Sequence, residues 1–287
     1  MNQTLTDRPA LLRQRARALR TGPVDFLTAI AIDEVQERLV AVNRSFTKVV
    51  IIGGWMPGWA EAFPDATHVA DTETLDLEVQ SYDLVVHALC LHWAEDPVGQ
   101  LVQARRALVP DGLLLVVAFG GRSLVELRAV LAEAEIALTG GLSPRVLPMA
   151  EIRDMGGLLQ RAGLALPVAD SLPLTVTYDT AFALMAELRG MGEGNALAAR
   201  HKAPPPRALF AEAARRYAEA HTGSDGRISA SFEMLFLTGW APDESQPKPL
   251  RPGSAKMRLS QALGTTEKLI SDMDTKPKCD SAPRHSN

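Results

Sequence analysis

Apolar residues recur along this 287-residue chain with two distinct periods. Residues 8–20 and 24–42 carry them at helical spacing, the second stretch through Phe26, Ile30, Val35, Leu39 and Val40. In the first, Leu11, Leu12 and Leu19 are expected to face the domain, among Arg8, Arg13, Arg15, Arg17 and Arg20. The β-branched run "TKVVIIGG" (47–54) predicts a buried strand stopped by two glycines. "THVAD" (67–71) predicts a short second strand, "SYDLVVHAL" (81–89) a third and "GLLLVVAFGG" (112–121) a fourth. Between the last two, "DPVGQLVQARRALVPDG" reads as an amphipathic helix closed by a Pro-Asp-Gly turn. Strands that alternate with helices and are apolar on both faces predict a parallel sheet covered on both sides.

The pattern then changes. "SLVELRAVLAEAEIAL" and "MAEIRDMGGLLQRAG" predict two helices, the second ending on Gly163. "LPLTVTY" (172–178) and "RISASFEMLFLTGWAP" (227–242) predict strands that flank a helical stretch, which suits an antiparallel pair at a sheet edge. The expected organisation is N-terminal helices over 1–45 and a main domain over 46–242, with a helical insertion at about 179–226 that covers the substrate. An extended, largely disordered tail rich in Pro, Ser, Lys and Arg is expected over 243–287.

Composition narrows the classes. A chain 46% hydrophobic and 22% charged is ordinary for a globular protein. A net charge of −4 gives no reason to expect nucleic acid as a partner. Cys90 and Cys279 cannot build a disulfide framework, and no Cys/His spacing suits zinc, so a reducing, cytoplasmic setting is expected. No apolar run reaches the roughly 20 residues of a membrane span, although peripheral attachment stays open.

The stretch "SYDLVVHALCLHWAEDPVGQLVQARRALVPDGLLLVVAFGG" resembles the fourth and fifth strands of class I S-adenosylmethionine (SAM)-dependent methyltransferases. "FGGRSLVELRAVLAEAE", "GGLSPRVLPMAEIRDMGGLLQRAG", "LMAELRGMGEGNA" and "GWAPDESQPKPLRPGSA" are similar to one subfamily. That subfamily holds the methyltransferase-like assembly factor five of respiratory complex I, an arginine hydroxylase, and lies close to the biotin-pathway malonyl-carrier-protein methyltransferase. The resemblance implies a class I methyltransferase (Rossmann-like) α/β sheet with helices on both faces and a C-terminal antiparallel strand pair. It also implies SAM as cofactor and a complex I subunit or other protein as partner.

Two features depart from the family. Its cofactor loop is an acid followed by alternating glycines, and an acid about 20 residues later bonds the ribose. Here "IIGGWMPG" (51–58) puts Ile51 or Ile52 in the place of the first acid, and Trp55, Met56 and Pro57 where small residues belong. The motif is therefore read as degenerate. Only 30 positions separate Gly53 from Asp83, about the length of one βαβ unit. Aligned backwards from the third predicted strand, "HVADTETLDL" (68–77) matches the family's third strand, which leaves the second strand–helix unit missing. Asp71, 18 residues after Gly53, can be read instead as the ribose acid.

Gly53, Gly54, Gly58, Asp71, His92 and Trp93 are the candidate cofactor contacts. His92 and Trp93 follow a strand at the carboxyl edge, where open α/β sheets place ligands, or else cap and pack the next helix. Asp83 is read as holding the turn before its strand. The glycine turn before "RSLVELR" resembles an anion site. Ser123 with Glu126 can form a capping box, which leaves Arg122 and Arg128 as candidate substrate contacts. Arg145 in "GGLSPR" and Glu193 and Asn195 in "RGMGEGN" complete that set. No hydrolase triad, phosphate loop or metal-ligand cluster by which a hydroxylase would hold its oxidant is evident.

Three functions compete. The first modifies or chaperones a protein partner, with an arginine of the complex I iron–sulfur subunit as the example. The second is an active SAM-dependent methyltransferase on a small or carrier-bound acid. The third is a cofactor-free scaffold in which Trp55, Met56 and Pro57 fill the cofactor space.

Overall fold

A computed structural model describes residues 4–247 together with 261 and 264. The expectation for the tail therefore lies almost wholly outside the described residues. Arg8–Thr21 forms α1 and Phe26–Val42 forms α2. The Asp7 carboxylate caps α1 by accepting from the Ala10 N–H, and Pro9 opens the helix where its missing donor costs nothing.

Then come β1 (Val49–Gly53), α3 (Pro57–Ala62), β2 (Thr67–Val69), β3 (Tyr82–Ala88), α4 (Pro97–Ala107) and β4 (Leu108–Phe119). The remainder is α5 (Val125–Thr139), α6 (Ile152–Arg161), β5 (Ala165–Tyr178), α7 (Ala181–Gly190), α8 (Arg207–His221) and β6 (Ile228–Trp240). The six strands form one sheet in the order β2-β1-β3-β4-β6-β5. The first four run parallel, and β6 lies antiparallel to both β4 and β5. This is the class I methyltransferase-like architecture, including the late antiparallel pair.

The pleat sorts the apolar runs onto two faces. Ile51, Leu84, Val86, Leu115 and Phe236 pack against α2, α3, α5, α7 and α8. Val50, Ile52, Val85, Leu114 and Val116 point the other way, against α4 and α6. Burial on both faces explains why these strands read as continuous apolar runs rather than alternating ones. A third, smaller cluster joins Ala10 and Leu11 of α1 to Trp93, Leu147 and Leu197.

Three sequence expectations need correction. On α1, Leu11 is fully buried, but Leu12 and Leu19 are about half exposed. The inward stripe is Arg8, Leu11, Arg15 and Ala18, at helical spacing. Pro110, Asp111 and Gly112 do not form a separate turn, because α4 runs directly into β4 and the three residues make an irregularity in that strand. Asp111 there has a φ of 58°, and the β3–β4 register shifts between Tyr82 and Leu84.

Ser123 and Glu126 do not form a capping box. The Ser123 hydroxyl donates to the Glu233 carbonyl and accepts from the Glu233 N–H, while Glu126 accepts from the N–H and hydroxyl of Ser231. Both side chains therefore fasten α5 to β6 rather than closing the helix end.

Strand β2 pairs directly with β1, Ile51 opposite His68. The strand with the third-strand signature thus sits in the position beside β1. Residues 70–81 return to β3 without a helix. The chain thus passes from β2 to β3 without a second strand–helix unit, as the short spacing between Gly53 and Asp83 predicts.

Candidate functional site

The carboxyl ends of β1, β3 and β4 meet at one edge, with Gly53 opposite Ala88 in the ladder. Open α/β sheets place ligands at this edge. Gly53 and Gly54 both adopt left-handed conformations, with φ of 78° and 52°. Their missing side chains leave no free space. A Cβ on Gly53 would lie 2.4 Å from Cys90 Sγ, and one on Gly54 would lie 2.8 Å from Ile51 Cγ2. The two glycines turn the chain sharply into Met56 and α3, where Met56 and Trp59 are buried in the core.

Trp55 covers the same edge. It packs so closely on Gly192, at φ 70°, that a Cβ there would meet the indole Cζ2 at 2.6 Å. The Arg15 guanidinium lies 5.8 Å from the Trp55 ring centroid. Beside it lies a cavity of about 20 Å³ bounded by Val24, Thr28, Trp55, Met56, Leu89 and Glu193. A space of that size accommodates about one water, whereas small-molecule sites run to roughly 300–1,000 Å³.

Asp71 is equally occupied. Both of its oxygens accept from Arg15 Nη1 at 3.0 Å, and Arg8 donates to each of them as well. Asp71 and Arg15 are both buried. Burial pushes the carboxyl pKa up, but the Arg15 charge and the Arg8 fork outweigh it and hold the pKa below the ordinary value. Asp71 is thus clamped by two cations from α1.

Behind this edge a buried neutral network closes. The Gln100 amide nitrogen donates to the Thr72 carbonyl, so its oxygen accepts from His87 Nε2 at 2.7 Å. That fixes the tautomer and leaves His87 Nδ1 to accept from the Cys90 thiol at 3.2 Å. Burial pushes the His87 pKa down to about 4 and raises that of Cys90. Both groups are neutral packing elements.

A second, much larger cavity of about 490 Å³ shares Phe119 and Glu193 with the first. Trp93, Phe119, Phe210 and Phe232 contribute its aromatic wall, and Leu127, Met149 and Met185 are among its apolar residues. Of the sequence-predicted residues it brings together Trp93, Arg145, Glu193 and Asn195.

Glu193 is positioned by two neighbours. The Trp93 indole N–H donates to Oε2 at 2.8 Å, and His92 Nε2 lies 3.4 Å from the same oxygen. Among the described residues no donor reaches its Oε1. His92 is buried, with its ring edge-on to Phe119 at 5.2 Å and its Nδ1 unpartnered.

The two glycine-rich loops support each other. Asn195 Nδ2 donates to the Pro144 carbonyl at 2.9 Å, and its Oδ1 accepts from the Leu197 N–H. Arg145 pairs with Glu135 through two nitrogens, at 2.6 and 3.0 Å. That guanidinium, with the Ser143 hydrogen bonds, lowers the Glu135 pKa to about 2.

Arg122 and Arg128 stand apart from the cavity: Arg122 is exposed, and Arg128 donates to the Ser123 carbonyl. Gly58 sits in the first turn of α3 near Ile32. Asp83 takes the structural role predicted for it, accepting from the N–H groups of Thr47 and Lys48. Sequence reasoning missed the clamp of Arg8 and Arg15. Its trace was an arginine at the centre of the apolar stripe of α1. Among the described residues no group of three His, Cys, Asp or Glu side chains is arranged to hold a metal ion.

Residues 26–116, which include β1, β3 and the segment holding His92 and Trp93, match the methyltransferase domain family. The chain belongs to the class I SAM methyltransferase-like family.

Among curated members of this methyltransferase-like family, "Arginine-hydroxylase NDUFAF5, mitochondrial" of Homo sapiens is 37% identical over 207 residues. The match covers 72% of this chain and 59% of that protein. The Dictyostelium discoideum protein of the same name is 40% identical over 191 residues, covering 66% of this chain and 44% of its own length. A malonyl-[acyl-carrier protein] O-methyltransferase of Xylella fastidiosa is 35% identical over 179 residues, covering 62% and 58% respectively. The chain thus spans about half the length of the curated relatives it matches. The solved structure of the YcgJ protein from Bacillus is similar at 13% identity with a TM-score of 0.45, over 70% of this chain and 94% of that one. No helix among the described residues is long and apolar enough to cross a membrane.

Proposed function

We propose that this chain keeps the methyltransferase fold without taking SAM at the end of β1, and that it holds an arginine of a protein partner during assembly of respiratory complex I. The observation that carries the proposal is the contrast between the two cavities. The place suited to the methyl donor is closed to about 20 Å³ by Trp55 and Met56, and its acid is clamped by Arg8 and Arg15. The adjoining cavity measures about 490 Å³.

That larger cavity offers what a guanidinium needs. Glu193 presents Oε1 as an acceptor while Trp93 and His92 hold its other oxygen. Aromatic faces such as Trp93 and Phe119 suit the planar cation, and the apolar wall suits its methylene stem. The printed activity of the NDUFAF5 relatives, arginine hydroxylation, supports an arginine as the side chain held. The resemblance to the complex I assembly factor suggests the iron–sulfur subunit as the partner.

Deleting the gene in its host tests this reading. The expected result is less assembled complex I on native gels, or an altered mass for an arginine-containing peptide of the iron–sulfur subunit. Normal amounts of complex with unchanged peptide masses would end the proposal.

One observation favours a second reading. Arg13, Arg17 and Arg189 also line the larger cavity, which suits a small or carrier-bound acid, as the malonyl-carrier methyltransferase name suggests. That reading needs a methyl donor, and labelled methyl transfer from SAM to an acid in cell extract would establish it.

A further inference from the structure

Resting on the arginine-binding reading, we infer that the protein segment bound in the 490 Å³ cavity carries acidic residues within about three positions of its arginine. The inference comes from the charge around the mouth. Arg13 and Arg17 stand one turn apart on α1, and Arg189 lies in the last turn of α7. All three are exposed and line the cavity. None has a salt-bridge partner among the described residues, whereas Arg145 and Arg200 of the same cavity are paired with Glu135 and Asp7. Three unpaired cations therefore surround the approach to a single interior acid, Glu193.

A bare guanidinium meets like charge before it reaches Glu193. The mouth admits it when the chain that brings it supplies compensating anions. In an extended segment, residues up to three positions away lie within about 10 Å of the arginine Cα. The interior acid then selects the arginine, and the outer cations select its neighbours. Such complementary charge acts chiefly on encounter rate and on the rejection of wrong partners, and it weakens as salt screens it. A polypeptide in which arginine alternates with aspartate or glutamate satisfies both layers at once. A neutral or basic stretch satisfies only the inner one.

Four synthetic peptides of equal length, titrated by fluorescence anisotropy against the full chain, test the two layers separately. One carries arginine with aspartate neighbours. The second has those aspartates replaced by asparagine, the third has citrulline in place of the arginine, and the fourth has both changes. At low salt the first peptide is expected to bind about tenfold tighter than the second, and the gap should narrow as salt rises. The triple variant Arg13→Gln, Arg17→Gln, Arg189→Gln should abolish that gap while keeping the preference for arginine over citrulline. Glu193→Gln, which leaves the Trp93 hydrogen bond possible, should do the reverse.

If aspartate and asparagine peptides bind alike, the inference about acidic neighbours is overturned while the arginine reading stands. If citrulline binds as well as arginine, or none of the four binds, the arginine reading itself falls.

Discussion

Replacing Asp71 by asparagine tests whether this residue is a structural counter-ion or a cofactor contact. The carboxylate receives hydrogen bonds from both Arg8 and Arg15. The Arg8 side chain is 29% exposed and can turn to water once the acid is gone, but Arg15 is 5% exposed and cannot. Arg15 Nε and Nη2 already lack protein acceptors, so the variant would leave a buried guanidinium without a counter-charge. Removing one partner of a buried pair costs about 3–5 kcal/mol. For an ordered unit of this size that is a fall in Tm of roughly 6–20 °C.

Urea unfolding followed by circular dichroism reads the loss directly. The paired replacement Asp71→Leu with Arg15→Met should recover most of it, because apolar groups can substitute for a buried ion pair at little net cost. A loss below about 1 kcal/mol for Asp71→Asn would refute the reasoning, since a cofactor acid standing free at a sheet edge would behave that way. The sign with pH follows. The folded carboxyl titrates below its ordinary value, so its stabilisation is present above about pH 4 and is lost as pH falls further.

Three other outcomes are expected. His87 is buried neutral with its pKa pushed down to about 4, while the unfolded chain protonates it near 6.5. Stability should therefore drop as pH falls from about 6.5 toward 4, by an amount of order 3 kcal/mol. His87→Gln should flatten that dependence, and an unchanged slope would contradict the burial argument. Glu135, held at about 2 by Arg145 and Ser143, should lose its contribution as pH falls from about 4.3 toward 2. Arg145→Gln should remove that part of the acid profile, read by the same denaturation series. Asn195→Ala should lose the bond to Pro144 and the one to Leu197, at about 1 kcal/mol each. Hydrogen exchange should then quicken in residues 140–147 while the sheet stays protected, and unchanged exchange there would show that the two loops do not support each other.

The fold was legible because the sheet is buried on both faces. The runs at 49–53, 82–88 and 113–119 could hardly be anything but central parallel strands. The N-terminal helices and the late antiparallel pair followed from spacing alone. The site was legible only in part. Glu193, Asn195, Arg145 and Trp93 come from three separate stretches of chain, and their meeting around one cavity depends on how residues 140–147 and 190–197 fold against α1.

The Asp71 clamp was harder still. A carboxylate near the end of a strand has the same appearance in sequence whether it awaits a ribose or an arginine. What separates the two is a helix that precedes it by some 60 residues, where Arg15 lies 56 positions before Asp71. Likewise, Trp55 and Met56 were visible as wrong residues for a cofactor loop. The close packing of the indole on Gly192, by contrast, is visible only in the structure.

In the proposed function the fold is kept while its methyl-donor place is filled from within. Calorimetric titration of the purified full chain with SAM tests it most directly. Micromolar affinity corresponds to about 8 kcal/mol, and a one-water cavity beside a clamped acid offers no route to it. No heat of binding is expected up to millimolar SAM. Saturable binding in the micromolar range would contradict it and would make methyl transfer the leading activity of this chain.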